Sequence, residues 1–374
     1  MKFLDRFRPA SPEVSVQTAR QAHDLLPLGS PSAPDYRLFE QLRASVPIVD
    51  AAIGKIVRLT GGFSLHCENP HAQALLEQFA SQVQVGASGW GLHSFVSGYL
   101  DSLLTYGSSV GEIVLSPDRR RIAALYQAPL RQLELRPGSG PLEFEICTRE
   151  GLGSTPVRYP ELILFTPLNP RPGEILGHSI LEGLPSVCSV LLKIYQSIGN
   201  NFERIANLRY AVTYRPQTES DRACAQDIAR SMAAEWSSAM SMSRDGQIRD
   251  FVAVGDVDIQ VIGADTQMID TQVPVRQMLE EIIAKLGIPP FLLGLSWSTT
   301  ERMSRQQADL LTSELESYRA LLTPVIERIC TLFLRLEGYG CTPKVEWEYI
   351  SLMDETELAQ ARLTAARAAQ LEQQ

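Results

Sequence analysis

The chain has 374 residues, 44% of them hydrophobic and 21% charged, and a formal net charge of −9. That length is enough to bury more than one core, and the acidic balance excludes a surface that wraps itself in nucleic-acid phosphate. No apolar run reaches the roughly 20 residues a helix needs to cross a bilayer.

Six cysteines, at 67, 147, 188, 224, 330 and 341, include no Cys-x-x-Cys pair and no repeated spacing. Reduced structural thiols are expected, not a zinc ribbon or a disulfide scaffold. The first nine residues acquire Asp5 and Pro9 before any apolar segment forms, so no secretory signal is read there and a cytoplasmic site of assembly is expected.

Residues 1–34 are rich in Pro, Ser and polar side chains and read as a flexible arm. Leu38, Leu42, Val46, Val49, Ile53 and Ile56 then recur three or four apart, predicting a helix that Pro47 kinks or splits. A short strand is expected at 63–67, followed by helices over 71–84 and 93–106. Gly107 opens a β-rich stretch with runs at 110–115, 122–126, 132–136, 142–146 and 162–165. The alternation in the third and fourth runs marks half-buried strands, and with Pro-Gly and Gly-Ser-Gly turns between the runs the stretch reads as part of an α+β domain.

Val187, Leu191, Ile194, Ile198, Phe202 and Ile205 form one stripe on a long helix. A strand at 210–214, a helix over 220–240 and strands at 251–254 and 257–262 follow. Nine acidic and four basic residues between 219 and 265 make this an acidic insertion, closed by a helix over 268–286. The sequence Gly-Ile-Pro-Pro-Phe-Leu-Leu-Gly at 287–294 forces a corner, because neither Pro289 nor Pro290 can donate a helical N–H and Pro290 drives Pro289 out of the α region. The loop that follows carries Leu295, Ser296, Trp297, Ser298 and Thr299, with Thr299 or Thr300 placed to cap the next helix. In that helix Leu311, Leu315, Tyr318, Leu322, Val325, Ile329, Leu332 and Leu336 follow a near-heptad, interrupted by Pro324. A strand at 344–350 and a terminal helix over 355–374 complete the chain.

Catalytic signatures are sparse. Gly177-His-Ser-Ile-Leu181 approaches a nucleophile elbow, but Leu181 stands where the second glycine belongs. No phosphate-binding Gly-x-x-x-x-Gly-Lys-Ser/Thr loop occurs. His66, Cys67, Glu68 and His71 fit no common zinc spacing, and Asp256, Asp258 and Asp265 fit no calcium loop. No catalytic residue, cofactor or metal is expected.

The order of parts, together with four short segments, resembles the portal protein of tailed double-stranded DNA bacteriophages. The segments are Ser45-Val-Pro-Ile-Val-Asp-Ala-Ala-Ile53, Leu104-Thr-Tyr-Gly-Ser-Ser-Val-Gly-Glu-Ile-Val114, Gly177-His-Ser-Ile-Leu181 with Asn200-Asn-Phe202, and Leu286-Gly-Ile-Pro-Pro-Phe-Leu-Leu-Gly294. Gly107 and Glu112 match the family's Gly-x-x-x-x-Glu strand, and Ile288 replaces valine in its Gly-Val-Pro-Pro stretch. The resemblance implies an α+β portal-like subunit. Its wing would be residues 35–180, its two-helix stem 181–206 and 268–286, and its small α/β clip 207–267. A tunnel loop over 287–300, a long kinked helix with a wing strand over 301–353, and a short helical crown at 354–374 would complete it.

The resemblance further implies a homo-oligomeric ring, twelve subunits being usual, at one capsid vertex of a virion. Its partners would be the terminase large subunit, a head-tail connector or adaptor, the major capsid protein, and double-stranded DNA passing without sequence specificity; no membrane is involved. Phe291, Leu295, Ser296, Trp297, Ser298 and Thr299 would face the channel, and Gly287, Pro289, Pro290 and Gly294 would form the corner that carries them. Asp245, Asp250, Asp256 and Asp258 would give the clip an acidic docking surface. Low affinity suits a conduit, since each neutralised phosphate adds binding that would stall the polymer. Two other readings remain: an α+β enzyme with His178, Ser179 and Glu112 in its site, or an adaptor ring that conducts nothing.

Overall fold

The computed structural model describes residues 36–350 apart from 139, 141–142, 151–152, 207–208, 216–223, 225, 235–256, 263–270 and 296–299. The chain divides into two compact units, one comprising Met1–Cys188 with Glu280–Gln374 and the other Ser189–Leu279. The expected arm and crown, like the expected strand at 251–254, lie outside the described residues.

In the larger unit, α1 (Tyr36–Ser45) and α2 (Pro47–Leu59) are separate helices. Val46 is extended, with φ −122° and ψ 92°, as the residue before a proline prefers, and Pro47 occupies the first turn of α2, where its missing N–H costs no bond. β1 (Phe63–His66) leads to α3 (Pro70–Gln82), which is capped by Asn69: its Oδ1 accepts from the His71 and Ala72 amides at 2.9 and 3.3 Å.

The centre of this unit is α4 (Leu92–Tyr106). Leu92, Phe95, Val96, Tyr99, Leu100, Leu103 and Leu104 repeat at three- and four-residue steps and are all buried, giving a wide apolar stripe. Helices α2 and α3 and strand β4 pack on it. The Tyr99 hydroxyl, buried with the stripe, donates to the Ser109 carbonyl at 3.1 Å and lies within hydrogen-bond distance of Thr166 Oγ1 at 2.9 Å.

A five-stranded sheet lies beside α4 in the order β3-β2-β5-β4-β9, formed by β2 (Gln84–Val85), β3 (Gly89–Trp90), β4 (Ser108–Leu115), β5 (Ile122–Gln127) and β9 (Ile163–Pro167). Only the β2–β5 pair is parallel. A second, three-stranded antiparallel sheet comprises β6 (Leu133–Pro137), β7 (Phe144–Glu150) and β8 (Gly153–Pro156). Val110, Leu130, Leu133, Ile146 and Ile163 form a core cluster against which Tyr36, Tyr106 and Phe165 pack. The two-residue strands β2 and β3 and the polar β8 are absent from the sequence reading. Two residues carry no periodicity, and Gly-Ser-Thr-Pro has no apolar alternation; their pairing comes from neighbouring strands.

Helix α8 (Glu301–Leu336) runs as one element through Pro324. A proline inside a helix costs about 3 kcal/mol, and burial of Leu322, Val325, Ile326, Ile329 and Cys330 on either side of it offsets that cost. The helix leads to β12 (Lys344–Trp347), which returns to pair antiparallel with β1, Phe63 opposite Trp347 and His66 opposite Lys344.

The smaller unit contains an antiparallel pair, β10 (Arg209–Tyr214) with β11 (Val257–Ile262), and a helix, α6, that includes residues 226–234. The division between units falls within α5 (Leu184–Ala206) and α7 (Gln272–Leu286).

Candidate functional site

The corner between α7 and α8 is built by its own residues. Helix α7 stops when Gly287 turns left-handed at φ +66°, its amide still donating to Ile283 O at 3.0 Å. Pro289 is extended, with ψ 136°, and Pro290–Leu293 make a single 3-10 turn ended by Gly294 at φ +76°. Leu292, Gly294 and Leu295 close this turn with backbone bonds to Pro289, Phe291 and Pro290 at 3.1, 3.2 and 3.1 Å. Nothing stands within 4 Å of a side chain at Gly287 or Gly294, so dihedral angle alone requires glycine there.

Ile288 and Pro289 are buried and fix the corner, whose 3-10 turn packs on α2. Phe291 is 40% exposed and Leu295 half-buried. Thr300, not Thr299, caps α8: its Oγ1 accepts from the Met303 amide at 3.4 Å. Ser296, Trp297, Ser298 and Thr299 lie outside the described residues, as do Asp245, Asp250 and Asp256. Asp258 is on β11, half-buried and opposite Thr213.

Gly287 also lines a charged cleft of about 460 Å³ together with Arg171, His178, Glu182, Lys285, Glu314 and Tyr318. The segment along one wall, which includes the elbow-like motif, is a backbone latch. Gly107 ends α4 at φ +78°, and its carbonyl accepts from the Leu168 amide at 2.8 Å. The amides of Gly177, His178 and Ile180 donate to Ser108 Oγ, Leu168 O and Leu104 O at 3.0, 2.8 and 3.2 Å. Ser179 Oγ, buried, donates to Thr105 O at 2.6 Å and accepts from the Leu181 amide at 3.0 Å. The His178 ring nitrogens face other partners, Nε2 at 2.6 Å from Glu174 and Nδ1 at 2.9 Å from Glu182. Glu112 sits on β4, paired with Tyr126 on one side and Ile163 on the other. Serine and histidine are thus adjacent in sequence yet bonded to different groups, and no nucleophile–base pair is assembled from them. Among the described residues, no three His, Cys, Asp or Glu side chains are arranged so that they could hold a metal ion.

Two features escaped the sequence reading. Arg319, 3% exposed, donates through Nε and Nη2 to the Thr60 carbonyl at 2.8 and 2.6 Å and lies 5.1 Å over the Trp347 ring. Cys67 and Cys341 bring their sulfurs to 2.7 Å. The partners are far apart in sequence, and no local pattern announces them.

No protein-family model matches the chain, and no curated protein matches it. Among solved structures, a chain from the virion of a native gene transfer agent particle covers 91% of each chain at 14% identity with a TM-score of 0.60. One from the neck of a native gene transfer agent particle, computed with C12 symmetry, covers 91% of each at 15% identity with a TM-score of 0.59. A crystal structure of an HK97 family phage portal protein from Corynebacterium diphtheriae aligns with 82% of this chain at 13% identity and a TM-score of 0.42. The α+β architecture expected from the portal resemblance is borne out as a fold: over nine-tenths of its length, this chain is folded like chains of the gene transfer agent virion and neck.

Proposed function

We propose that the chain is a portal subunit: a ring at one capsid vertex, through which double-stranded DNA is packaged and ejected and on which terminase and a head-tail connector dock. The observation that carries this reading is the fold likeness, over 91% of both chains, to a protein of a particle neck solved with C12 symmetry. Exposed apolar side chains in the smaller unit support self-association: Tyr195, Phe202 and Val273 are 45, 54 and 59% exposed in the single chain. On this reading α5 and α7 are the stem, the acidic insertion over 207–267 is the clip, and residues 287–300 are the tunnel loop, whose sequence includes Trp297. Asp245, Asp250, Asp256 and Asp258 attract a basic docking partner by complementary charge. The same acidity keeps phosphate contacts few, so DNA slides.

Native mass measurement tests the ring. Twelve copies of the 41.4 kDa chain give about 497 kDa, and a stable monomer or dimer under assembly conditions overturns the proposal. Deleting residues 296–299 leaves the subunit number of the ring unchanged and impairs DNA packaging or retention; normal packaging and retention return the loop to plain architecture.

A further inference from the structure

We propose that Cys67 and Cys341 are an oxidation site, a thiol pair that a small disulfide such as oxidised glutathione converts into a covalent bond joining the two chain segments at one end of the β1–β12 ladder. Cys67 directly follows β1, and Cys341 lies three residues before β12. Because His66 pairs with Lys344, the chain segments carrying the two thiols meet where the ladder ends. Cys67 Sγ and Cys341 Sγ lie 2.7 Å apart, so a movement of less than about 1 Å brings the sulfurs to the ~2.05 Å of a disulfide.

Accessibility separates this pair from the other thiols of the larger unit. Cys67 and Cys341 are both partly exposed, whereas Cys147, Cys188 and Cys330 are buried. Burial also pushes the Cys188 thiol up to about 11 and raises that of Cys330, which keeps both protonated and unreactive. The Cys341 thiol is raised too, first by its hydrogen bond with Cys67, so what sets this pair apart is its exposure and the closeness of the two sulfurs.

The chemistry balances as two exchanges. One thiolate attacks a glutathione disulfide sulfur, forming a mixed disulfide and releasing one glutathione thiolate. The second protein thiol, deprotonated, attacks the protein sulfur of that mixed disulfide and releases the second glutathione. The pair is oxidised by two electrons, glutathione disulfide is reduced to two thiols, and the two protein protons pass to the glutathione thiolates. The product joins residues 67 and 341 and so encloses nearly the whole described chain in one covalent loop, the kind of cross-link that restricts the unfolded state most.

The bond itself follows from the geometry alone; its timing rests on the portal reading. A subunit assembled in a reducing cytosol keeps free thiols, and a particle released from the cell meets an oxidising exterior. The ladder would then be stapled only after assembly.

The test uses the full chain, purified with reductant, freed of it, and incubated with oxidised glutathione. Non-reducing peptide mapping then recovers one cross-link, Cys67 to Cys341, and a maleimide no longer labels either residue. The thermal midpoint rises by about 5–10 °C and falls back on reduction. Cys67→Ser and Cys341→Ser each abolish the cross-link and the redox-dependent shift. If both thiols of the wild-type chain stay open to maleimide, or are recovered only as separate glutathione adducts, the proposal is overturned whether or not the variants fold. A cross-link that leaves the midpoint unmoved overturns its role as a staple. A chain that forms no ring yet forms this bond counts against the portal reading and not against the oxidation site.

Discussion

Arg319 is the residue whose replacement should reveal most about how α8 is held. Its guanidinium donates twice to the Thr60 carbonyl, the residue ending α2, donates to Glu316 at 2.9 Å, and lies over Trp347 of β12. Methionine fills most of the same space but donates nothing. A buried carbonyl that loses its donor costs about 1–3 kcal/mol, and losing the cation–π contact costs about 1 kcal/mol more. The Glu316 pair adds little, since that carboxylate is 55% exposed. Arg319→Met should therefore destabilise the larger unit by about 2–4 kcal/mol, and Arg319→Lys, which keeps one donor and the charge, by about half as much. Urea unfolding followed by far-ultraviolet circular dichroism measures both. A methionine variant within about 0.5 kcal/mol of wild type, or a lysine variant as damaged as it, would refute the account.

The latch offers a steric prediction with a built-in control. A methyl at Gly177 collides with the backbone at Gly107 O and Leu168 N, whereas one at Gly173 meets nothing within 4 Å. Gly177→Ala should cost more than about 3 kcal/mol and reduce soluble yield, and Gly173→Ala, strained only by its φ of +87°, about 1–2 kcal/mol; equal unfolding midpoints for the two would contradict this. Alkaline titration gives a third prediction. Burial, followed by the hydrogen bond and charge of Glu40, raises Tyr106 to about 12, so between pH 10 and 12 the folded state holds a proton that the unfolded chain releases. Stability is intact below pH 10 and falls as pH rises toward 12. Urea midpoints measured across that window should fall less steeply for Tyr106→Phe than for wild type.

What could be read from the sequence was local. The stripe of α4, the split at Pro47 and the Pro-Pro corner are written in neighbouring side chains, and the structure places each within a residue or two of expectation. The long helix expected around Pro324 is present as one element, and burial of the residues flanking the proline carries it through. The candidate site was legible in part. Its turn chemistry follows from glycine and proline, and the cap falls to Thr300, one of the two threonines that the sequence offers. His178 and Ser179 looked reactive side by side; His178, however, turns to Glu174 and Glu182, each four residues away, while Ser179 and Gly177 find their partners on α4 and β4, which local sequence does not reveal. The Cys67–Cys341 contact and the Arg319 anchor depend on pairings across most of the chain, beyond the reach of any periodicity.

The pairing of β1 with β12 also orders events during synthesis. One strand emerges from the ribosome early, and its partner only after α8 is complete. Until then β1 lacks its ladder partner, Thr60 lacks the guanidinium, and Trp347 has not met Phe63. The larger unit therefore carries a high contact order and must close after the inserted unit has already been made. In the interval β1 is an open edge able to pair with another nascent chain. A chain cut before Lys344 would leave that edge open for good, so the place where one four-residue strand finds its mate would decide how readily such a chain aggregates.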